Sequence, residues 1–229
     1  MKTIGLIGGI TWYSTMEYYR LLNEIVNKRL GGSHSAKIIL HSVDFAVIRE
    51  LTEAQDWERL TAIMQEAAKK IRDAGADCLL IGANTMHHIA DEVQAAVQIP
   101  LIHIAEAVAG AVLQKNIQQV ALLGTRYTMQ LDFYKKILLK NGITVSIPEI
   151  PDMEFINDTI YNEFGNGLFL PRTKQQYLSI IDKLTASGAQ GVIFGCTEIP
   201  ILLKQGDCSV PVFDTGRIHA AAAVEFALG

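Results

Sequence analysis

Cys196 is the residue whose type and setting could do the most chemistry. It stands in Phe194-Gly195-Cys196-Thr197-Glu198-Ile199-Pro200, just past an apolar run that reads as a strand and ahead of a helical turn. A helix N-terminus lowers a thiol pKa and favours the thiolate. A thiolate there could be a nucleophile, or a base toward a carbon acid. The other reading of the same residue is a small core cysteine, the usual fate of a free one. Cys78 lies inside an apolar run and reads as core, and Cys208, in Gly206-Asp207-Cys208-Ser209, as an incidental surface thiol. Asn84-Thr85-Met86-His87 follows a second apolar run. Asn84 and Thr85 can cap a helix or hydrogen-bond an amino or carboxylate group, and His87 can carry a proton. Gly124-Thr125-Arg126-Tyr127-Thr128 offers a glycine turn and hydroxyls. Arg126 is either a carboxylate clamp or an ordinary surface residue.

Other chemistries lack their residues. Gly5-x-x-Gly8-Gly9 has the wrong spacing for a dinucleotide fingerprint, which disfavours a nicotinamide cofactor, and there is no Walker A lysine pattern. The six histidines have neither C-x-x-C nor H-E-x-x-H company, so no metal site is expected. No lysine stands in a context that suggests a pyridoxal Schiff base. The expectation is therefore no cofactor. The 229 residues are 49% hydrophobic and 19% charged, enough to bury a sizeable core. A formal net charge of −4 gives no basic face for nucleic acid. Three cysteines are too few, and odd in number, for a secreted disulfide framework, and they fit a reducing, cytoplasmic setting. No apolar run is long enough to span a membrane.

Short apolar runs bounded by glycine, separated by amphipathic stretches, must position these residues. Strands are expected at 3–7, 37–41, 78–81, 101–104, 120–123, 143–147, 191–194 and 210–213. Helices are expected at 14–28, 56–74, 86–97, onward from 104 to about 113, then at 129–141, 155–163, 173–187 and 217–228. This alternation predicts an α/β fold with parallel sheets covered by helices. The second half repeats the first. Ile4-Gly5-Leu6-Ile7-Gly8 resembles Val120-Ala121-Leu122-Leu123-Gly124, 116 positions later. The stretches beginning at Gly75 and Ile99 recur at Gly188 and Val210, offsets of 113 and 111. Three matches in order at nearly one offset predict two similar Rossmann-like lobes from a duplicated unit, 1–115 and 116–229, with the last helix, about 215–229, packing back on the first. Open parallel sheets place ligands beyond the C-terminal ends of their strands. Loops 8–15, 82–87, 124–128 and 195–199 would then line a cleft between the lobes, with helix N-termini suited to a carboxylate.

These motifs together resemble the aspartate/glutamate racemase family, the cofactor-independent amino-acid racemases. The resemblance runs from Ile4-Gly5-Leu6-Ile7-Gly8-Gly9 with Trp12, Ser14 and Thr15, through His41-Ser42-Val43-Asp44-Phe45 and Asn84-Thr85-Met86-His87, to Leu122–Met129 and Phe194–Ile199. It implies two α/β lobes, no cofactor, a homodimer, and aspartate or glutamate as substrate. It also implies two cysteines, one per lobe, exchanging the Cα proton on opposite faces. Cys196 matches the second. The first lies two residues before the asparagine of Asn-Thr-x-His, and that position is Gly82. Thr11, Ser14, Thr15, Asn84, Thr85, Thr125, Thr128, Thr197 and Glu198 match the substrate-holding loops. With one thiol, racemisation would be weak or asymmetric, and His87 is the candidate substitute acid/base. Asn166 stands where family members often carry a lysine for the substrate side chain.

Two alternatives stay open. One is a single-thiol decarboxylase or isomerase of the same superfamily, since glycine at the first-cysteine position also resembles arylmalonate decarboxylase. The other is a non-catalytic binder of an amino acid or dicarboxylate.

Overall fold

A computed structural model describes all residues, 1–229. In chain order the elements are β1 (Ile4–Gly8), α1 (Trp12–Leu30), β2 (Ile38–Ser42), α2 (Phe45–Glu53), α3 (Trp57–Asp73), β3 (Cys78–Ile81), α4 (Ala90–Ala95) and α5 (Ile104–Leu113). Then come β4 (Gln119–Gly124), α6 (Arg126–Gln130), α7 (Asp132–Lys140), β5 (Thr144–Ser146), α8 (Ile150–Asn162), α9 (Pro171–Ala186), β6 (Gly191–Gly195), α10 (Ile199–Leu202), β7 (Val212–Asp214) and α11 (Thr215–Leu228). By internal packing the chain divides into two units. One is Met1–His103 with His219–Gly229, the other Ile104–Ile218.

In the first unit a parallel sheet runs in the order β2-β1-β3. β1 and β3 are buried along their whole length, as strands covered on both faces must be. α3 buries Leu60, Met64, Ala67, Ala68 and Ile71 along one stripe. It can approach β1 closely because Gly5 has no side chain; a Cβ there would lie 2.2 Å from Ile71 Cγ2. On the opposite face, Tyr18, Leu21, Leu22 and Val26 of α1 pack with Ala220, Ala223 and Val224 of α11. Polar side chains start the helices: Thr11 caps α1, Asp44 caps α2 and Asp56 caps α3. The expected strand at 101–104 is reduced to one bridge, Leu79 with Leu101, because α5 begins at Ile104. The expected helix at 86–97 is a 3-10 turn, Thr85–Ile89, followed by α4.

In the second unit a parallel sheet runs β5-β4-β6-β7. With the Leu101 bridge standing for a fourth strand, both sheets have the same strand order, in agreement with the sequence repeat. The apolar face of α5 (Ile104, Val108, Val112) packs on Val120, Leu122 and Ile193, so this helix belongs with the second sheet. The opposite face of the sheet is covered by Ile156 and Ile160 of α8 and Tyr177, Ile180 and Ile181 of α9. The expected helix at 129–141 is two helices, broken at Leu131, whose backbone is extended.

Candidate active site

In each sheet the chain leaves the central strand, crosses to one neighbour and returns to the other, creating a switch point between β1 and β3 and another between β4 and β6. Loops 8–15, 82–87, 124–128 and 195–199 stand at the carboxyl ends of those four strands, where such sheets bind ligands.

At the second switch point β4 and β6 run so close that a Cβ on Gly195 would lie 2.9 Å from the Leu123 carbonyl oxygen. The chain then turns through Cys196, Thr197 and Glu198, all nearly buried, before α10. The Cys196 thiol donates to Glu198 Oε2 at 3.0 Å, and the Thr197 hydroxyl donates to the same oxygen at 2.9 Å. Burial first, then the Glu198 charge and hydrogen bond, push the Cys196 thiol well above its ordinary value, against the smaller pull of the Glu198 and Ile199 backbone amides. The direction expected from the strand-to-helix position is therefore reversed. α10 has four residues and a weak dipole, and a buried thiol beside a carboxylate keeps its proton. Thr125 caps α6, accepting from the Thr128 amide at 3.3 Å, and the Thr125 and Thr128 hydroxyl oxygens are 3.1 Å apart. Arg126 and Asn166 are exposed; the Arg126 amide donates to Asn157 Oδ1, and Asn166 Nδ2 to the Asn162 carbonyl.

At the first switch point Gly9 turns the chain with φ +87°, where a Cβ would lie 2.1 Å from the Val43 carbonyl oxygen. The hydroxyls that follow are tied into this turn. Ser14 Oγ and Thr15 Oγ1 donate to the Thr11 carbonyl at 2.9 and 2.8 Å, and the Gly9 amide donates to Thr15 Oγ1 at 2.8 Å. Gly82 follows β3, and its amide donates to the Ile7 carbonyl. Asn84 and Thr85 are nearly buried. His87 is only 2% exposed; its Nδ1–H donates to the Ala83 carbonyl at 2.8 Å, and its Nε2 has no hydrogen-bond partner.

Two residues that the motifs did not single out pack against His87, and a third, Tyr18, against one of those two. His103 and His219 meet its ring edge to face at centroid distances of 4.7 and 5.5 Å. His219 Nε2 lies 2.6 Å from the Ile102 carbonyl and its Nδ1 2.8 Å from the Tyr18 hydroxyl. A carbonyl only accepts, so Nε2 carries the proton and Tyr18 donates to Nδ1. Burial, then the two neighbouring histidines, push His87 well below the ordinary imidazole value; burial lowers His103 to about 4 and His219 to about 3. All three are neutral at pH 7. These partners stand tens to hundreds of positions apart in the chain, and no local pattern announces them.

Comparison with known proteins identifies the family. The model of the Asp/Glu/Hydantoin racemase family matches residues 7–223. The broad specificity amino-acid racemase RacX of Bacillus subtilis is 21% identical over 96% of both chains. A solved structure from Yersinia pestis, provisionally named an Asp/Glu racemase, is 47% identical over the whole of both chains, with TM-score 0.93. An aspartate racemase homologue from Pyrococcus horikoshii is 37% identical over the whole of both chains, with TM-score 0.87. A family match over nearly the whole chain, two parallel sheets of like order, and Cys196 at the carboxyl end of β6 lead to one conclusion: the chain belongs to the Asp/Glu/hydantoin racemase family.

Proposed function

We propose that the protein is a cofactor-independent amino-acid racemase of the aspartate/glutamate type in which Cys196 is the only thiol that moves the substrate Cα proton. The observation that carries this reading is the Cys196 thiol, protonated, at a strand end of a racemase-family chain. Backbone amides and hydroxyls at the strand ends would take the substrate carboxylate and stabilise charge as it develops. Gly82 has no side chain to carry a proton. The reading gives that duty to His87, whose neutral imidazole keeps an Nε2 lone pair without a hydrogen-bond partner. The three free cysteines support a reducing, cytosolic setting.

Gly82 also favours a second reading, in which Cys196 works on one face alone and protonates or deprotonates stereospecifically. Chiral chromatography after incubating single enantiomers of aspartate and glutamate in D2O separates the two. Deuterium at Cα with both enantiomers present means racemisation. Deuterium with retained configuration means one-face exchange. His87→Gln should reduce the first and leave the second; racemisation at the wild-type rate in that variant removes His87 from the scheme.

A further inference from the structure

We propose that His219 is a positioning residue for His87: with both of its own ring nitrogens committed, it is a fixed wall that holds the His87 ring, and the Nε2 lone pair on it, in one orientation. This rests on the reading of His87 as the proton carrier on the face where Gly82 has no side chain. The Ala83 carbonyl accepts from His87 Nδ1–H at 2.8 Å, which assigns the proton to Nδ1 and leaves the lone pair on Nε2. One hydrogen bond fixes one point of a ring and not its plane. Two other rings fix the plane: His103 and His219 stand against it at 67° and 70°. His219 is fully buried and tied at both nitrogens, Nε2–H to the Ile102 carbonyl at 2.6 Å and Nδ1 to the Tyr18 hydroxyl at 2.8 Å. Ile102 is anchored in turn. Its amide donates to the Leu79 carbonyl at 2.9 Å, and the Leu79 amide donates to the Pro100 carbonyl at 2.9 Å. Leu79 belongs to β3, the strand that leads into Ala83. The ring and the wall that supports it are therefore both referenced to one strand.

The tautomers make this wall useful. His219 has one N–H, and it is spent on Ile102, so none is left to cap His87 Nε2. Burial keeps both rings neutral, so His219 brings no charge that would oppose a proton on His87. In the step itself the His87 Nε2 lone pair takes the Cα proton, and the electrons of the broken C–H bond stay on the substrate. His87 becomes an imidazolium, with Nδ1–H still on the Ala83 carbonyl. Returning the proton from Nε2 to Cα restores the neutral ring. Throughout, His219 exchanges no proton and keeps both of its bonds. Its part is to keep the lone pair in place, and small misplacements of a reacting group are costly in rate.

The test sets His219→Leu beside His219→Gln. A glutamine amide can still donate to Ile102 and its oxygen still accept from Tyr18; leucine can do neither. Nitrogen NMR of the imidazole side chains, with the His87 signals identified by their loss in His87→Gln, reads the tautomer directly. The wild type should show a single His87 tautomer with Nε2 bare. In His219→Leu the ring should turn away from Ala83 and a second His87 tautomer appear, while kcat for aspartate racemisation falls roughly tenfold at unchanged KM. His219→Gln should restore the single tautomer and recover most of the lost kcat. Simple loss of packing predicts no such rescue. An unaltered His87 signal in His219→Leu, or a glutamine variant as disturbed as the leucine one, overturns the proposal. If His219→Leu does not fold, Tyr18→Phe takes its place, since it removes the donor to Nδ1: broadened or doubled His87 signals support the wall, and unchanged signals overturn it. If the wild type racemises nothing, or His87→Gln matches it, the reading of His87 as proton carrier fails, while the tautomer signals still judge the positioning.

Discussion

The Tyr18 hydroxyl lies 2.8 Å from His219 Nδ1, joining residues 201 positions apart in the interior of the first unit. His219 Nε2–H is committed to the Ile102 carbonyl, so Tyr18 is the donor and Nδ1 the acceptor. Tyr18→Phe leaves a buried acceptor without this donor. It should lower stability by about 1–3 kcal/mol, measured as a lower urea midpoint with an unchanged slope.

The buried histidines also set a pH dependence. Their folded pKa values lie below the ordinary 6.5, at about 4 for His103 and about 3 for His219, and well below it for His87. Below 6.5 the unfolded chain therefore binds protons that the folded protein refuses. Their contribution to stability is fully present above that value and is lost as pH falls toward the folded values. The loss approaches about 1.4 kcal/mol per pH unit for each histidine. Urea unfolding at pH 7.5 and pH 5.5 should show the lower stability at 5.5, and His103→Gln should flatten the dependence. An unchanged midpoint over this range would contradict the assignment.

Gly82→Cys should fold. A Cβ there would meet the Ile7 carbonyl oxygen at 3.1 Å, Leu6 Cδ1 at 3.4 Å and Tyr18 Cδ2 at 3.7 Å, so a relaxation of a few tenths of an ångström suffices. The expected loss is about 1 kcal/mol of stability, with a gain in racemisation from either enantiomer, read by chiral chromatography. A folded variant that binds substrate but racemises no faster would argue against a missing thiol as the limit.

Much of this was legible in the sequence, for physical reasons that also explain the gaps. Buried parallel strands such as β1, β3, β4 and β6 are short apolar runs ending in glycine, and the α3 stripe repeats at helical spacing. The repeat fixed which loops share a sheet edge. α2 carries no clear signal although Asp44 caps it and Ile48, Leu51 and Thr52 form its buried face, because nine residues make a weak period. The break at Leu131 has neither proline nor glycine to signal it. The family resemblance places Glu198 among the substrate-holding residues. Its partnership with Cys196, two positions away, depends on a non-helical turn whose shape comes from packing. The company of His87 comes from His103 and His219, the latter held by Tyr18, which only the folded chain assembles.

Everything proposed for the site depends on Cys196 moving a Cα proton. The most direct measurement is proton NMR in D2O of each enantiomer of aspartate and glutamate, with the wild type and with Cys196→Ala. The Cα–H signal should disappear with the wild type and persist with the variant, while the variant keeps its fold by circular dichroism. Exchange by Cys196→Ala at the wild-type rate would contradict it.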